Sequence, residues 1–182
     1  MLEVRWHGRG GQGAFTAARL LGIASALFEQ RFALAFPSFG PERRGAPVLG
    51  FTRIDDRKIT DRTLPTECDY VVVLDETLAG PNIAVGLKSG AKLILNTAHP
   101  ELYRALAPDH EIIGLDATTL ALEVLGSPIT NTAMLGALVA VSGIVRLESA
   151  IQAISHELKP RIAQKNIDLL RRVEALVAGA RP

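Results

Sequence analysis

The chain has 182 residues, which is long enough for one domain with a full hydrophobic core. Apolar residues make up 48% and charged residues 21%, the usual composition of a globular protein. A net charge of +1 and an aromatic content of 5% give no reason to expect nucleic acid as a partner. A single cysteine, Cys68, cannot form an internal disulfide or hold an iron–sulfur cluster, and we expect it to fill space in the core.

No run of 18 apolar residues predicts a membrane span, and the N-terminus lacks the pattern of a signal peptide. The cytoplasm is therefore the expected compartment.

A glycine cluster follows the first predicted strand, over residues 2–6, and a helix is predicted directly after it, over residues 12–29. Strand, glycine loop and helix together point several backbone N–H groups at one anion. Three of the glycines also fit the G-x-G-x-x-G spacing of a dinucleotide loop. The cluster comprises Gly8, Arg9, Gly10, Gly11, Gln12 and Gly13.

The sequence after this helix departs from that of a nicotinamide or flavin site. Such a site needs an acidic residue at the end of the second strand to bind the ribose hydroxyls. The predicted second strand, over residues 32–36, ends without one, and Glu29 lies before it. A Pro/Gly loop with Arg43 and Arg44 follows, which suits a phosphate or a carboxylate. The alternative is a solvated loop whose arginines pair with nearby acids.

The remaining pattern alternates strands and helices. We predict strands over residues 47–54, 70–74, 92–95 and 111–115, with a hairpin return over 58–60. Helices are predicted over residues 76–87, 100–106, 117–125, 133–144, 148–156 and 160–178. This rhythm indicates an α/β fold, a Rossmann-like three-layer sandwich with a mostly parallel sheet and a helical C-terminal third, in one domain over residues 1–182. The glycine loop, the loop over residues 37–47, Asp75 and Asn96 all follow predicted strands, so they are expected at one edge of the sheet.

The sequence contains no self-contained catalytic constellation. Its four histidines lack metal-ligand spacing, and the G-x-S-x-G motif of a nucleophilic serine is absent. Ser38, between Pro37 and Phe39, is poorly placed as a nucleophile, and His7 is expected to hydrogen-bond the glycine turn. The pattern favours a binding or assembly component over a complete enzyme.

Three segments in this order resemble the gamma subunits of the 2-oxoacid:ferredoxin oxidoreductases, and the pyruvate branch is the nearest. They are residues 8–13, 36–47 and 131–136. The resemblance implies oxidative decarboxylation of a 2-oxoacid to an acyl-CoA, with electrons passed to ferredoxin. It places thiamine diphosphate and iron–sulfur clusters in the partner alpha, beta and delta subunits, and it associates the gamma subunit with coenzyme A.

The resemblance also implies a set of site residues. The glycine loop, Gly8 to Gly13, would bind the pyrophosphate of coenzyme A, and Arg43 or Arg44 its 3′-phosphate. Ser38 and Asn131 lie in the other matching segments and complete the predicted site. Three alternatives stay open: a purely structural assembly subunit, a gamma subunit for another oxoacid (2-oxoisovalerate, 2-oxoglutarate or an aryl glyoxylate), and a stand-alone NADP-binding protein.

Overall fold

Six β-strands form one sheet in the computed structural model, which describes residues 1–38 and 45–179. The strands are β1 (Leu2–Arg9), β2 (Phe32–Pro37), β3 (Pro47–Asp55), β4 (Cys68–Val73), β5 (Leu87–Asn96) and β6 (Glu111–Leu115). Five α-helices occur in the same described ranges: α1 (Ala14–Ile23), α2 (Ala117–Leu125), α3 (Asn131–Ser142), α4 (Leu147–Glu157) and α5 (Pro160–Gly179).

The sheet is mostly parallel, as the sequence predicts. Its strand order is β2-β3-β1-β4-β5-β6. The pairs β1–β4, β4–β5 and β5–β6 are parallel, whereas β3 runs antiparallel to both of its neighbours. Strands β1, β4, β5 and β6 therefore bring their carboxyl ends to one edge of the sheet, where ligands of α/β proteins bind.

The two faces of the sheet are covered differently. Val4 and Trp6 of β1 point into a core formed with the described α-helices. Val71 and Val73 of β4 point the other way, into a smaller cluster that contains the fully buried Cys68. Short 3-10 helices, Glu76–Leu78 and Pro100–Leu106, lie in the segments that cover this second face. The three expected layers are present, but the second outer layer is thin and contains no described α-helix.

Two predicted elements are wrong. Residues 76–87 form only the 3-10 helix Glu76–Leu78 and then turns, because Gly80 and Pro81 interrupt the helical pattern. The hairpin return over residues 58–60 is absent; the chain runs as a loop in which the Asp61 carbonyl accepts a hydrogen bond from Arg53 at 2.9 Å.

Glycines set the ends of two helices differently from the predicted bounds. Helix α1 begins only at Ala14 because Gly13 has a φ of +80°, and it passes into a π-helix over Ala24–Phe28. Helix α3 ends at Ser142 because Gly143 has a φ of +63°. Among the described helices, no segment combines the length and apolarity that crossing a bilayer requires.

Candidate functional site

Side chains that follow β1, β4 and β5 meet at the carboxyl edge of the sheet, as predicted. Asn96 at the end of β5 donates to the Leu74 carbonyl after β4 at 2.8 Å, and its Oδ1 accepts from the Ala117 N–H at 3.0 Å. Asn96 therefore joins β5 to β4 and caps α2. The contacts of Asn96 within the described residues are therefore structural and hold this edge of the sheet together.

The glycine loop between β1 and α1 needs glycine at three positions. Gly11 and Gly13 have φ values of +97° and +80°, in the left-handed region that other residues avoid. A Cβ atom on Gly8 would lie 3.0 Å from the Cβ of Ala14, so α1 starts close against the strand. This geometry turns the chain sharply and leaves the N-terminus of α1 open.

Gln12 holds the loop in this shape. Its Oε1 accepts from the Arg9 N–H at 2.7 Å, and its Nε2 donates to Oδ2 of Asp75 at 2.8 Å. Gly10 donates its N–H to the Ala46 carbonyl at 2.8 Å, which ties the loop to the start of β3. Hydrogen bonds thus hold the loop on both sides.

Arg9 is held by the same network. Its Nε contacts Oδ2 of Asp75 at 3.2 Å, its Nη1 donates to the Gly45 carbonyl at 3.1 Å, and its Nη2 donates to the Thr77 hydroxyl at 2.8 Å. Partial burial raises the pKa of Asp75, but hydrogen bonds from Thr77 and Gln12 and the charge of Arg9 lower it overall. Asp75 is therefore ionised, and its carboxylate holds Arg9 and Gln12 of the loop in place.

A cavity of about 720 Å³ opens beside this loop, and we call it the glycine-loop cavity. Its lining includes Arg9, Gly10, Gly11, Gly13 and Ser38. No side chain in the described ranges caps the N-terminus of α1, and its first turn contains no acidic residue. Unpaired N–H groups and the positive end of the helix dipole make this cavity suitable for an anion.

A second cavity, of about 490 Å³, lies between α1, α3 and α5, and we call it the α5 cavity. Asn131 lines this cavity and is 8% exposed. Its side chain packs against the glycine loop: a Cβ on Gly13 would lie 2.6 Å from Asn131 Nδ2. Asn131 thus lies between the glycine loop and the α5 cavity, and Thr16 of α1 lines both cavities.

The structure brings most of the predicted site residues together. One cavity is lined by Arg9, Gly10, Gly11, Gly13 and Ser38. Next to it, Gln12 donates a hydrogen bond to Asp75, Gly8 packs against Ala14, and Asn131 packs against Gly13. Arg43 and Arg44 lie outside the described residues. Glu29 is engaged elsewhere, because its Oε1 accepts from the Ser149 hydroxyl at 2.6 Å and from the Arg146 N–H at 2.9 Å.

The sequence predicts Asp75 at the carboxyl edge of the sheet, but it does not predict that Asp75 belongs to the site. Its contacts with Arg9 and Gln12 span 66 and 63 residues, so no local pattern reveals them. Its position directly after a buried strand was the available signal. Thr77, which completes the network, carried no signal of its own.

His7 does not make the predicted hydrogen bond to the glycine turn. Its Nε2 is buried and has no partner among the described residues. Burial and then the charge of Arg5 lower the pKa of His7 from 6.5 to about 4, so the ring is neutral at pH 7. No group of three or more His, Cys, Asp or Glu side chains in the described ranges is arranged to hold a metal ion.

The family model for pyruvate ferredoxin/flavodoxin oxidoreductases matches residues 3–175 of the chain. The pyruvate synthase subunit PorC of Methanocaldococcus jannaschii is 49% identical over 167 residues, which are 91% of each chain. The common gamma subunit of the pyruvate/ketoisovalerate oxidoreductases of Thermococcus litoralis is 46% identical over 175 residues, 94% of each chain.

Solved structures agree with this assignment. The pyruvate oxidoreductase subunit PORC of Thermotoga maritima is 40% identical, with a TM-score of 0.85 over 96% of this chain and 95% of that one. A 2-oxoglutarate:ferredoxin oxidoreductase of Magnetococcus marinus, solved with 2-oxoglutarate, coenzyme A and succinyl-CoA bound, has a TM-score of 0.78 over 99% of this chain. It is 17% identical and only 31% of its chain is covered, so this match shows the fold alone. On the family model and these identities, the chain belongs to the pyruvate ferredoxin/flavodoxin oxidoreductase family.

Proposed function

We propose that this chain is the gamma subunit of a multisubunit pyruvate:ferredoxin oxidoreductase, and that its glycine-loop cavity binds phosphate groups of coenzyme A. In this proposal the alpha, beta and delta subunits carry thiamine diphosphate and the iron–sulfur clusters, and ferredoxin receives the electrons through the complex. The expected compartment is the cytoplasm. Relatives at 49% and 40% identity are named for pyruvate, which supports pyruvate as the oxoacid.

The observation that supports coenzyme A is the preorganised anion site. Gly11 and Gly13 take left-handed backbone conformations, no side chain of the described residues caps the N-terminus of α1, and the hydrogen bonds of Asp75 hold the loop in place. Coenzyme A carries a pyrophosphate, which such a loop binds through N–H groups and the helix dipole. A cavity of about 720 Å³ has the size of a small-molecule site.

The chain's own part in the reaction is to bind and orient this co-substrate. Oxidation and decarboxylation require groups that the described residues do not assemble, and we assign them to the partner subunits. Holding the phosphates at a fixed loop would place the thiol end of coenzyme A reproducibly, which favours acyl transfer through proximity. Arg43 and Arg44 are proposed to bind the 3′-phosphate.

Steady-state kinetics of the assembled complex test this proposal. We expect Arg43→Ala/Arg44→Ala to raise the KM for coenzyme A about 10- to 100-fold, because it removes charge-assisted phosphate contacts. The KM for pyruvate should not change. Arg57→Ala, at an exposed arginine in a turn, is the matched control. An unchanged KM for coenzyme A would overturn the proposal.

A purely structural role predicts a different result for the same variant. If Arg43 and Arg44 pair with acids on another subunit, removing them leaves buried charges unpaired, which costs several kcal/mol. The complex would then fail to assemble, while the KM of any residual complex would stay normal. Subunit composition by native mass spectrometry therefore accompanies the kinetics.

The oxoacid is tested separately. The Thermococcus litoralis relative is named as a subunit common to pyruvate and ketoisovalerate enzymes, so this type of subunit is compatible with more than one oxoacid. We expect the complex purified from its own cells to use pyruvate with a higher kcat/KM than 2-oxoisovalerate or 2-oxoglutarate. The opposite preference would replace pyruvate in the proposal without affecting the role of the glycine loop.

A further inference from the structure

The outermost strand of the sheet, β2, has one edge that pairs with no strand in the described ranges. On its other edge β2 pairs with β3. Every second residue of β2 faces β3, because the Ser38 N–H donates to the Leu49 carbonyl at 2.9 Å and continues that ladder. Ala33 and Ala35 therefore direct their N–H and C=O groups away from the sheet, along what we call the open edge of β2.

The open edge of β2 has little protection against pairing. Residues 32–36 contain no charged side chain, and every residue of β2 is at least partly exposed, with Phe32 at 47%. Natural proteins keep exposed edge strands apart with charged side chains, bulges or prolines. Pro37 has this effect only at the last position of the strand. An apolar edge of this kind is expected to pair with another strand.

The sequence of β2 matches a second copy of itself in antiparallel orientation. Residues 32–36 read Phe-Ala-Leu-Ala-Phe in both directions. A two-fold axis through Leu34 therefore places Ala33 opposite Ala35 of a second copy, and Ala35 opposite its Ala33. These are the residues whose N–H and C=O groups point outward, so each of these groups finds a partner on the other strand.

The ends of β2 favour this register over its neighbours. A register shifted toward the end of the strand would oppose an outward-facing alanine to Pro37, which has no N–H to donate. A register shifted toward its start would oppose one to Arg31, whose N–H already donates to the Ser25 carbonyl at 3.1 Å. The axis through Leu34 leaves both of these residues outside the ladder.

The two faces of such a pair also match. Phe32, Leu34 and Phe36 share one face of the sheet. Pairing would continue this apolar stripe across the axis, with each Phe32 opposite the Phe36 of the second copy, and aromatic pairs at opposed positions stabilise a sheet. The alanines between them are small and face α1, where a Cβ on Gly22 would lie 3.3 Å from the Cβ of Ala35.

We infer that β2 pairs with β2 of a second copy of this chain, antiparallel and about a two-fold axis through Leu34, so that the two sheets become one. A second copy fits better than a strand of another subunit, because the side chains and the hydrogen-bonding groups both match under this symmetry. Pro37 also lines the glycine-loop cavity, so the pairing places one such cavity at each end of the joined strands. The inference does not depend on what that cavity binds.

Disulfide trapping in the full chain tests this contact. Leu34→Cys puts two thiols directly opposite each other on the axis, where Cα atoms about 4.5 Å apart are within the range of a disulfide. The native Cys68 is fully buried and gives little background. Ser89→Cys, at an exposed position of β5, is the matched control for random collisions. We expect mild oxidation to give at least about tenfold more covalent dimer from Leu34→Cys than from Ser89→Cys.

A second variant tests the hydrogen bonds of the pair. Ala35→Pro, added to Leu34→Cys, removes an outward N–H and leaves the ladder between β2 and β3 intact, so the chain should fold and give several-fold less covalent dimer. Urea denaturation checks that this variant is folded. Equal dimer yields from Leu34→Cys and Ser89→Cys, or a yield that Ala35→Pro leaves unchanged, would overturn the inference. In the assembled complex, a disulfide from position 34 to another subunit instead of a second copy would also overturn it.

Discussion

Gly13→Ala tests the packing that joins the glycine loop to α3. Gly13 has a φ of +80°, and a Cβ there would lie 2.6 Å from Nδ2 and 3.2 Å from Cγ of Asn131. Asn131 cannot move aside freely, because its Oδ1 is bound to the Thr132 N–H at 2.9 Å and its side chain is nearly buried. The substitution therefore combines backbone strain with a steric clash.

The two contributions have separate magnitudes. An alanine in the left-handed region costs about 1–2 kcal/mol, and overpacking of a well-packed position costs about 1–3 kcal/mol. We expect Gly13→Ala to lower the free energy of unfolding by about 2–5 kcal/mol, the sum of the two terms. The backbone part is measured with Gly90→Ala, since Gly90 has a φ of +77° and nothing within 4 Å of its built Cβ.

Urea denaturation of the purified full chain gives these values. Gly13→Ala should cost more than Gly90→Ala, and the excess should shrink when Asn131→Ala is also present, because that change removes the clashing atoms. A coupling energy of about 1 kcal/mol or more between positions 13 and 131 is expected. Equal losses for Gly13→Ala and Gly90→Ala, or additive losses in the double variant, would refute the proposed contact.

Three further changes test charges and buried groups. Asp75→Asn removes the charge that holds Arg9 and should cost about 1–3 kcal/mol in urea denaturation; Asp109→Asn, at an exposed position, should cost nothing measurable. The pKa of His7 lies near 4 in the fold against 6.5 ordinarily, so the unfolded chain takes up the proton first and stability falls as pH drops below 6.5. By pH 5 this loss is about 2 kcal/mol, and a His7→Phe variant that keeps the same pH slope would contradict it. Glu3→Gln should cost about 1–3 kcal/mol by thermal or urea unfolding, because Arg53, 2% exposed and 2.8 Å from Glu3, keeps only the more exposed Asp61 carboxylate at 3.4 Å; a loss below about 0.5 kcal/mol would argue against this pair.

The parts of the fold that follow local patterns could be predicted from the sequence. The glycine cluster after an apolar run predicted the turn into α1, and the apolar run before Asp75 predicted a buried parallel strand. The prediction of a helix over residues 76–87 was wrong. It followed the apolar spacing of the segment, whereas Gly80 and Pro81 interrupt the helix. A Gly–Pro pair inside a segment with helical periodicity ends the helix even where the apolar spacing continues.

The parts of the site that depend on tertiary contacts could not be predicted in this way. Asp75 meets Gln12 across 63 residues, and only the sheet register brings them together.

Hydrogen–deuterium exchange on the assembled complex, with and without coenzyme A, tests the central claim most directly. The claim predicts slower exchange of the backbone amides in the peptide that covers residues 8–16, because the phosphates would accept from the N–H groups of the loop and the first turn of α1. The peptide over β6, Glu111–Leu115, should be unchanged and serves as the internal reference. Unchanged exchange over residues 8–16 at saturating coenzyme A would contradict the claim that this chain binds the coenzyme at its glycine loop.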